Sequence, residues 1–368
     1  MLFVKKDNST PKYVIDQDEN DEKTTSVEST LTSIPISNSL ERITSGYFRQ
    51  YDDLIEIIIP DSLTRIGDHA FYECTNLTSV TLGNSIKIIE NAAFCDCRIK
   101  NLIIPDSVEI IENHAFVDCK ELCNLTMGNS VTKIGNYAFA GCNKLIEVNI
   151  PDSVISIGLG SFQDCSSLKS VTIGNSVTRI DRSAFISCEG LTNVVIGNSV
   201  KEIGNYAFED CKKMNNLTIG NSVELICIHA FKNCCSLTEV IIPDSVTCIG
   251  SYAFLNCEKI NSLIIGNSVK KIYNHAFKNC SSLTEVIIPN SVEEIYEDVF
   301  CNCVKLTKLV MGKFIKEIKD CGICYENLKY LKISEELYNK HELQNYLRDD
   351  CEVEFWEDKI ENGLESGK

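Results

Sequence analysis

The sequence predicts a repeat solenoid: stacked units of about 23 residues whose strands run parallel, with no separate globular core. Three observations carry this reading. A phenylalanine recurs from Phe48 to Phe300 at intervals of 23 residues, broken only by the 22 between Phe94 and Phe116. A cysteine stands three residues after nearly every one, from Cys74 to Cys303, and a serine ahead of it marks a turn, from Ser39 to Ser291. A period this strict gives every unit the same contacts with its neighbours, so identical side chains stack into ladders along one axis.

The unit reads clearly in Leu145–Ser167, LIEVNIPDSVISIGLGSFQDCSS. Its first half alternates apolar and polar residues like a strand and ends in a Pro-Asp or Gly-Asn turn. A second apolar pair follows, then Ala/Ser-Phe-x-x-Cys. One unit cannot bury its apolar set alone; stacking removes it from water at about 25 cal/mol per Å².

Taken in order, residues 1–30 are rich in Asp, Glu, Lys, Ser and Thr and read as a flexible polar arm. The units run over 31–333, about 13 of them. The first has Tyr51 where the cysteine is expected, and the last is degenerate, with Phe314 for the turn serine and Ile323 for the ladder phenylalanine. The residue missing before Phe116 lies between Cys97 and Ile99, in a loop. Residues 334–357 form a cap: Ser334 is placed to cap a short helix that starts with Glu335 and Glu336, and CEVEFWE reads as a closing strand over the open solenoid end. Residues 358–368 are an acidic tail.

Composition excludes some functions. A net charge of −17 and a pI near 4.8 argue against a phosphate-binding surface, so nucleic acid is not an expected partner. No apolar run approaches the ~18 residues of a membrane span, and no export signal is visible. Twenty cysteines would suggest a disulfide scaffold, yet eleven hold one repeat position and read as reduced core thiols. An intracellular location follows from this reading; a cell-surface or secreted protein is the alternative.

The pattern L-x-x-V-x-I-P/G-D/N-S-V-x-x-I-G-x-x-A-F-x-x-C resembles the BspA-like class of leucine-rich repeats over residues 31–333. The resemblance implies a right-handed horseshoe with a parallel β-sheet on its concave face, built from the L-x-x-V-x-I segments. It further implies a role in adhesion or protein binding, without shared catalytic residues.

Function is therefore sought in the outward strand positions. One column includes Glu239, Ser262, Glu285 and Lys308; its neighbour includes Ile241, Ile264, Ile287 and Val310. These eight residues form the candidate partner-binding stripe, with units about 4.8 Å apart. The expected function is a monomeric, non-enzymatic scaffold for a protein partner, with no cofactor; β-branched residues that merely suit a strand are the plainer account of the column. Cys321 and Cys324 have the spacing of a redox or half-zinc motif, but the four ligands of a structural zinc and the βαβ context of thioredoxin chemistry are missing. His69, His114, His229 and His275 share the position two before phenylalanine and read as surface residues, too far apart to coordinate one metal. The sequons at Asn8, Asn76, Asn124 and Asn216 read as by-products of a repeat rich in Asn and Thr.

Overall fold

The structure is a computed structural model that describes residues 2–5, 12–15, 33–36, 38, 40, 42–319 and 325–357. Each unit contributes two parallel strands on either side of its Pro-Asp or Gly-Asn turn. The long strand has three or four residues, as in Glu147–Ile150, and the short strand has two, as in Ser156–Ile157. The short strands form one uninterrupted ladder of 13, from Arg42–Ile43 to Glu317–Ile318. The long strands lie in sheets of five, four, two and four, the last completed by the closing strand Glu352–Phe355. The result is a parallel stacked solenoid with the expected repeat spacing. The L-x-x-V-x-I segments form parallel sheets, as the resemblance implies, and the short strands add a second, longer continuous one.

Between the phenylalanine ladder and the two sheets lies the core. Rings from Phe48 to Phe300 stack with centroids 4.9–5.5 Å apart and planes within 12° of parallel. The phenylalanine N–H donates to the alanine carbonyl of the next unit, as from Phe71 to Ala93 at 2.7 Å. The ladder cysteines explain themselves at this point. Cys165 Sγ donates to the Phe139 carbonyl at 3.3 Å, and the same bond recurs from Cys74 to Cys303. A small apolar side chain with one weak donor thus supplies a partner to a buried carbonyl of the preceding unit. Residues two before and two after each phenylalanine take positive φ, among them Tyr206 at 61° and Asp210 at 62°, which bends the chain around the ring.

The divisions in the long-strand sheet have a common cause. Gly83, Gly128, Gly174, Gly197, Gly220, Gly266 and Gly312 each lie so close to the preceding unit that an added Cβ would stand 2.2–2.6 Å from a backbone carbonyl oxygen. Only glycine allows this approach. At Pro105, Pro151, Pro243 and Pro289 proline follows glycine; it carries a ring where glycine makes its close approach and has no N–H to give to the step. At these four steps the long-strand pairing shrinks to Ser79↔Asn101 or is lost.

Two hydrogen bonds disappear with it. At ordinary steps the residue before the turn donates to the next unit, as from Ile242 to the Ile264 carbonyl at 2.9 Å, and an Asp or Asn side chain accepts from the next unit's backbone, as from Asn267 N–H to Asp244 at 2.7 Å. Among the described residues, neither bond forms at the four glycine-to-proline steps. The residues left at these seams, Leu82, Met127, Ile219 and Ile265, are 6–9 % exposed, while Ile59, Ile104, Ile242 and Ile288 at closed steps are 1–2 % exposed.

At the C-terminal end Ser334 Oγ accepts from Leu337 N–H and caps a helix over Glu335–Lys340, which buries Leu337. The strand Glu352–Phe355 pairs with Tyr330–Ile333. Trp356 Nε1 donates to the Met311 carbonyl at 2.8 Å, pinning this strand to the last units. Within the polar arm, Leu2–Lys5 and Lys12–Ile15 pair antiparallel. Its other residues up to Thr32, and the tail from Asp358, are outside the described residues.

Candidate interaction face

The two sheets present different outer surfaces. On the short-strand side, charged residues pair from unit to unit: Lys87 with Glu109 at 2.9 Å, Lys201 with Glu224 at 2.9 Å, Lys271 with Glu294 at 2.8 Å and Lys316 with Glu293 at 2.6 Å. The Lys316 and Lys271 ammonium groups hold the Glu293 and Glu294 carboxyls below their usual range. These charges are met within the surface, which also exposes Ile155 and Leu225.

The long-strand side is built otherwise. Ile58, Ile103, Ile241, Ile264 and Ile287 all stand more than half exposed in its outward column. Strand pairing sets Glu239 beside Ser262 and Ile241 beside Ile264, then Glu285 beside Lys308 and Ile287 beside Val310. Glu285 and Lys308 form an ion pair at 2.6 Å, and Ser262 Oγ donates to Glu239 at 3.4 Å. Val310 is half-buried; the next residue along its column is Lys332, which lies over the Trp356 ring at 4.2 Å and closes the apolar stripe.

The eight candidate residues are thus brought together as two pairs of strands, since the ladder lapses between Ile264 and Ile287. The strands Glu239–Ile241 and Ser262–Ile264 form a two-stranded island with a seam on each side. A groove of 640 Å³ crosses the first seam, lined by Leu217, Ile219, Ile241, Pro243 and Ile264, with Asn221 and Asp244 among its polar residues. Leu217 and Leu263 occupy the inward strand position and are partly uncovered at the seams, whereas Val240 and Val286 at closed steps are 1 % exposed. The repeat pattern assigns these two leucines to the core alone. The signal that finds them is the order of glycine and proline in successive turns.

His114 is exposed as expected, whereas the other three of these histidines are half-buried. His229 and His275 are half-buried in a stack of rings, Tyr206, His229, Tyr252 and His275, with centroids 4.6–4.9 Å apart. The stack forms because residues two before phenylalanine superpose from unit to unit. Burial and the nearby Lys232 push the His229 pKa down, with Glu209 opposing.

Among the described residues the cysteines are free thiols, and no group of His, Cys, Asp and Glu is arranged to hold a metal. Burial pushes the Cys142, Cys188, Cys234 and Cys280 thiols well up. Cys321 and Cys324 lie outside the described residues. No described helix is long and apolar enough to cross a membrane.

Comparison with solved structures places this geometry among leucine-rich-repeat proteins. A leucine-rich repeat protein from Bacteroides ovatus is 21 % identical, with 97 % of this chain and 98 % of that chain covered and a TM-score of 0.65. A leucine-rich cell surface protein from Faecalibacterium prausnitzii is 26 % identical over 89 % of this chain and 84 % of that one, with a TM-score of 0.42. The pneumococcal vaccine antigen PcpA is 18 % identical over 89 % of each chain, with a TM-score of 0.44. The first of these shares the fold. No curated protein matches the chain. The BspA type leucine rich repeat region matches in six copies, over residues 25–98, 87–215 and 201–332. With its ladders of phenylalanine and cysteine and a match along most of its length, this chain belongs to the BspA-type leucine-rich-repeat family.

Proposed function

We propose that the chain is a non-enzymatic scaffold that binds a protein partner through its long-strand face, at Glu239, Ile241, Ser262, Ile264, Glu285, Ile287, Lys308 and Val310. One observation carries the reading: Ile241, Ile264 and Ile287 stand more than half exposed in one outward column of neighbouring units on this face, whereas charged residues of the short-strand side pair from unit to unit. Exposed apolar surface set beside polar residues is the ordinary composition of a protein-binding patch. Repeat scaffolds typically serve protein interaction, and the family is generally non-enzymatic.

The test is a substitution that leaves the core alone. Ile264 is half-exposed, so Ile264→Lys should fold normally and lose a partner captured by the natural chain. A partner retained at full affinity would place the site elsewhere. The intracellular location expected from the sequence draws no support from the comparisons, and the same face would serve an exported adhesion protein equally well. Fractionation of the source cells, together with thiol titration, separates the two locations.

A further inference from the structure

We infer that this face takes an extended, polyproline-II segment of its partner, with aliphatic side chains three residues apart and lysine or arginine beside them. The inference rests on the binding face proposed above and adds the chemistry of what binds there.

Three observations converge on the two-stranded island. First, its seams are where the apolar interior reaches the surface. Leu217 is half-buried on one side and Leu263 on the other, Ile219 and Ile265 are 8 % and 6 % exposed beneath them, and Ile241 and Ile264 are raised between. A bound segment that follows the solenoid axis can therefore seat one aliphatic side chain in each seam. Second, the seams are two strand steps apart, about 10 Å. A polyproline-II segment advances ~3.1 Å per residue and returns to the same face every three residues, about 9.3 Å. A β-strand puts residues three apart on opposite faces and cannot match both seams. The geometry selects the one extended conformation whose period fits.

Third, the island is acidic without compensation. Among the described residues Glu239 meets no cation, its contact being the Ser262 hydroxyl, and Asp244 accepts only from Asn267. Lys308 is already engaged by Glu285. A segment with cations beside its aliphatic residues meets carboxylates, and an acidic one meets repulsion. The Asn221 amide lines the same groove and can donate to the carbonyls that a polyproline-II backbone leaves free.

The experiment uses the full chain and three fluorescein-labelled nine-residue peptides built from proline, lysine and two leucines. The first carries the leucines three residues apart, the second two apart, and the third keeps the first spacing with glutamate for lysine. Fluorescence anisotropy should show binding of the first, with the second and third each weaker by about tenfold, the scale of one lost apolar contact or charge pairing. Ile264→Lys and Glu239→Lys should weaken the first peptide to a similar extent with unchanged thermal unfolding. Pro243→Gly, which lets the first seam close, should weaken it without adding any charge. Equal binding of the three peptides, or indifference to these substitutions, overturns the inference. If no peptide binds while Ile264→Lys still abolishes capture of a natural partner, the inference falls and the binding face stands.

Discussion

Gly266 lies directly against Pro243: a Cβ on Gly266 would stand 2.3 Å from the Pro243 carbonyl oxygen. The contact joins consecutive units at a closed step, and its backbone atoms cannot move aside as a side chain would. Gly266→Ala should therefore destabilise the chain by roughly 1–3 kcal/mol, the cost of overpacking. It should also open a seam between Ile241 and Ile264. Hydrogen exchange would show this as faster exchange of the Ile242 and Asn267 amides, which are bonded across this step. The reverse change, Pro243→Gly, should slow the Ile219 amide.

The ladder phenylalanines differ in what surrounds them. Phe162 is flanked by Phe139 and Phe185 at 5.3 and 5.2 Å, whereas Phe48 has a ladder neighbour on one side, Phe71 at 5.0 Å. Phe162→Ala should cost about 3–5 kcal/mol. Phe48→Ala should cost less, because the end of the stack can relax around it. Urea unfolding of the two variants measures the difference.

The thiols give a clear chemical readout. The ladder cysteines are buried, and desolvation raises the pKa of most of them, so the nucleophilic thiolate is scarce in the folded chain. A reagent such as dithionitrobenzoate should react slowly with native protein. After denaturation, all 20 cysteines should react if the chain is isolated reduced. A deficit would reveal disulfides and favour an oxidising location.

His229 sets a pH dependence whose sign follows from its surroundings. Burial first, and then Lys232, lower its pKa below the ordinary value near 6.5, so the unfolded chain binds its proton more readily than the folded one. The stability held above about pH 6.5 should decline as pH falls through that value, and the loss is complete below the lowered pKa. His229→Gln removes this contribution. Thermal unfolding between pH 8 and 5 should show a smaller decline for the variant than for the natural chain.

Much of the fold is legible in the sequence because it depends on one residue type recurring at one position. Phe162 and Cys165 make the same contacts as their equivalents, so a period is enough to place them. The outward column is legible for a similar reason: once Val240 is inside, Glu239 and Ile241 must be outside. The seams are not legible in that way. Proline and glycine occupy the same turn position and read as interchangeable within a unit. Their difference emerges only from the order in successive units, through a backbone approach that a consensus pattern does not contain. The partial exposure of Leu217 and Leu263 follows from that order, so two residues of the candidate site are hidden among the core positions. The ring stack of Tyr206, His229, Tyr252 and His275 escapes the sequence because the varied residues at this position conceal a shared backbone conformation.

The unbroken ladder of short strands and the divided sheet of long strands make the solenoid mechanically asymmetric. One side is a continuous strip, like the spine of a book, and the other is a row of plates divided at Pro151, Pro243 and Pro289 and held by a single residue pair at Pro105. Bending that parts the plates requires no strip hydrogen bond to break, whereas bending the other way stretches the strip itself. Stiffness along the chain is thereby written in a single residue per unit, and exchanging glycine for proline moves a joint while the phenylalanine and cysteine ladders keep their sequence.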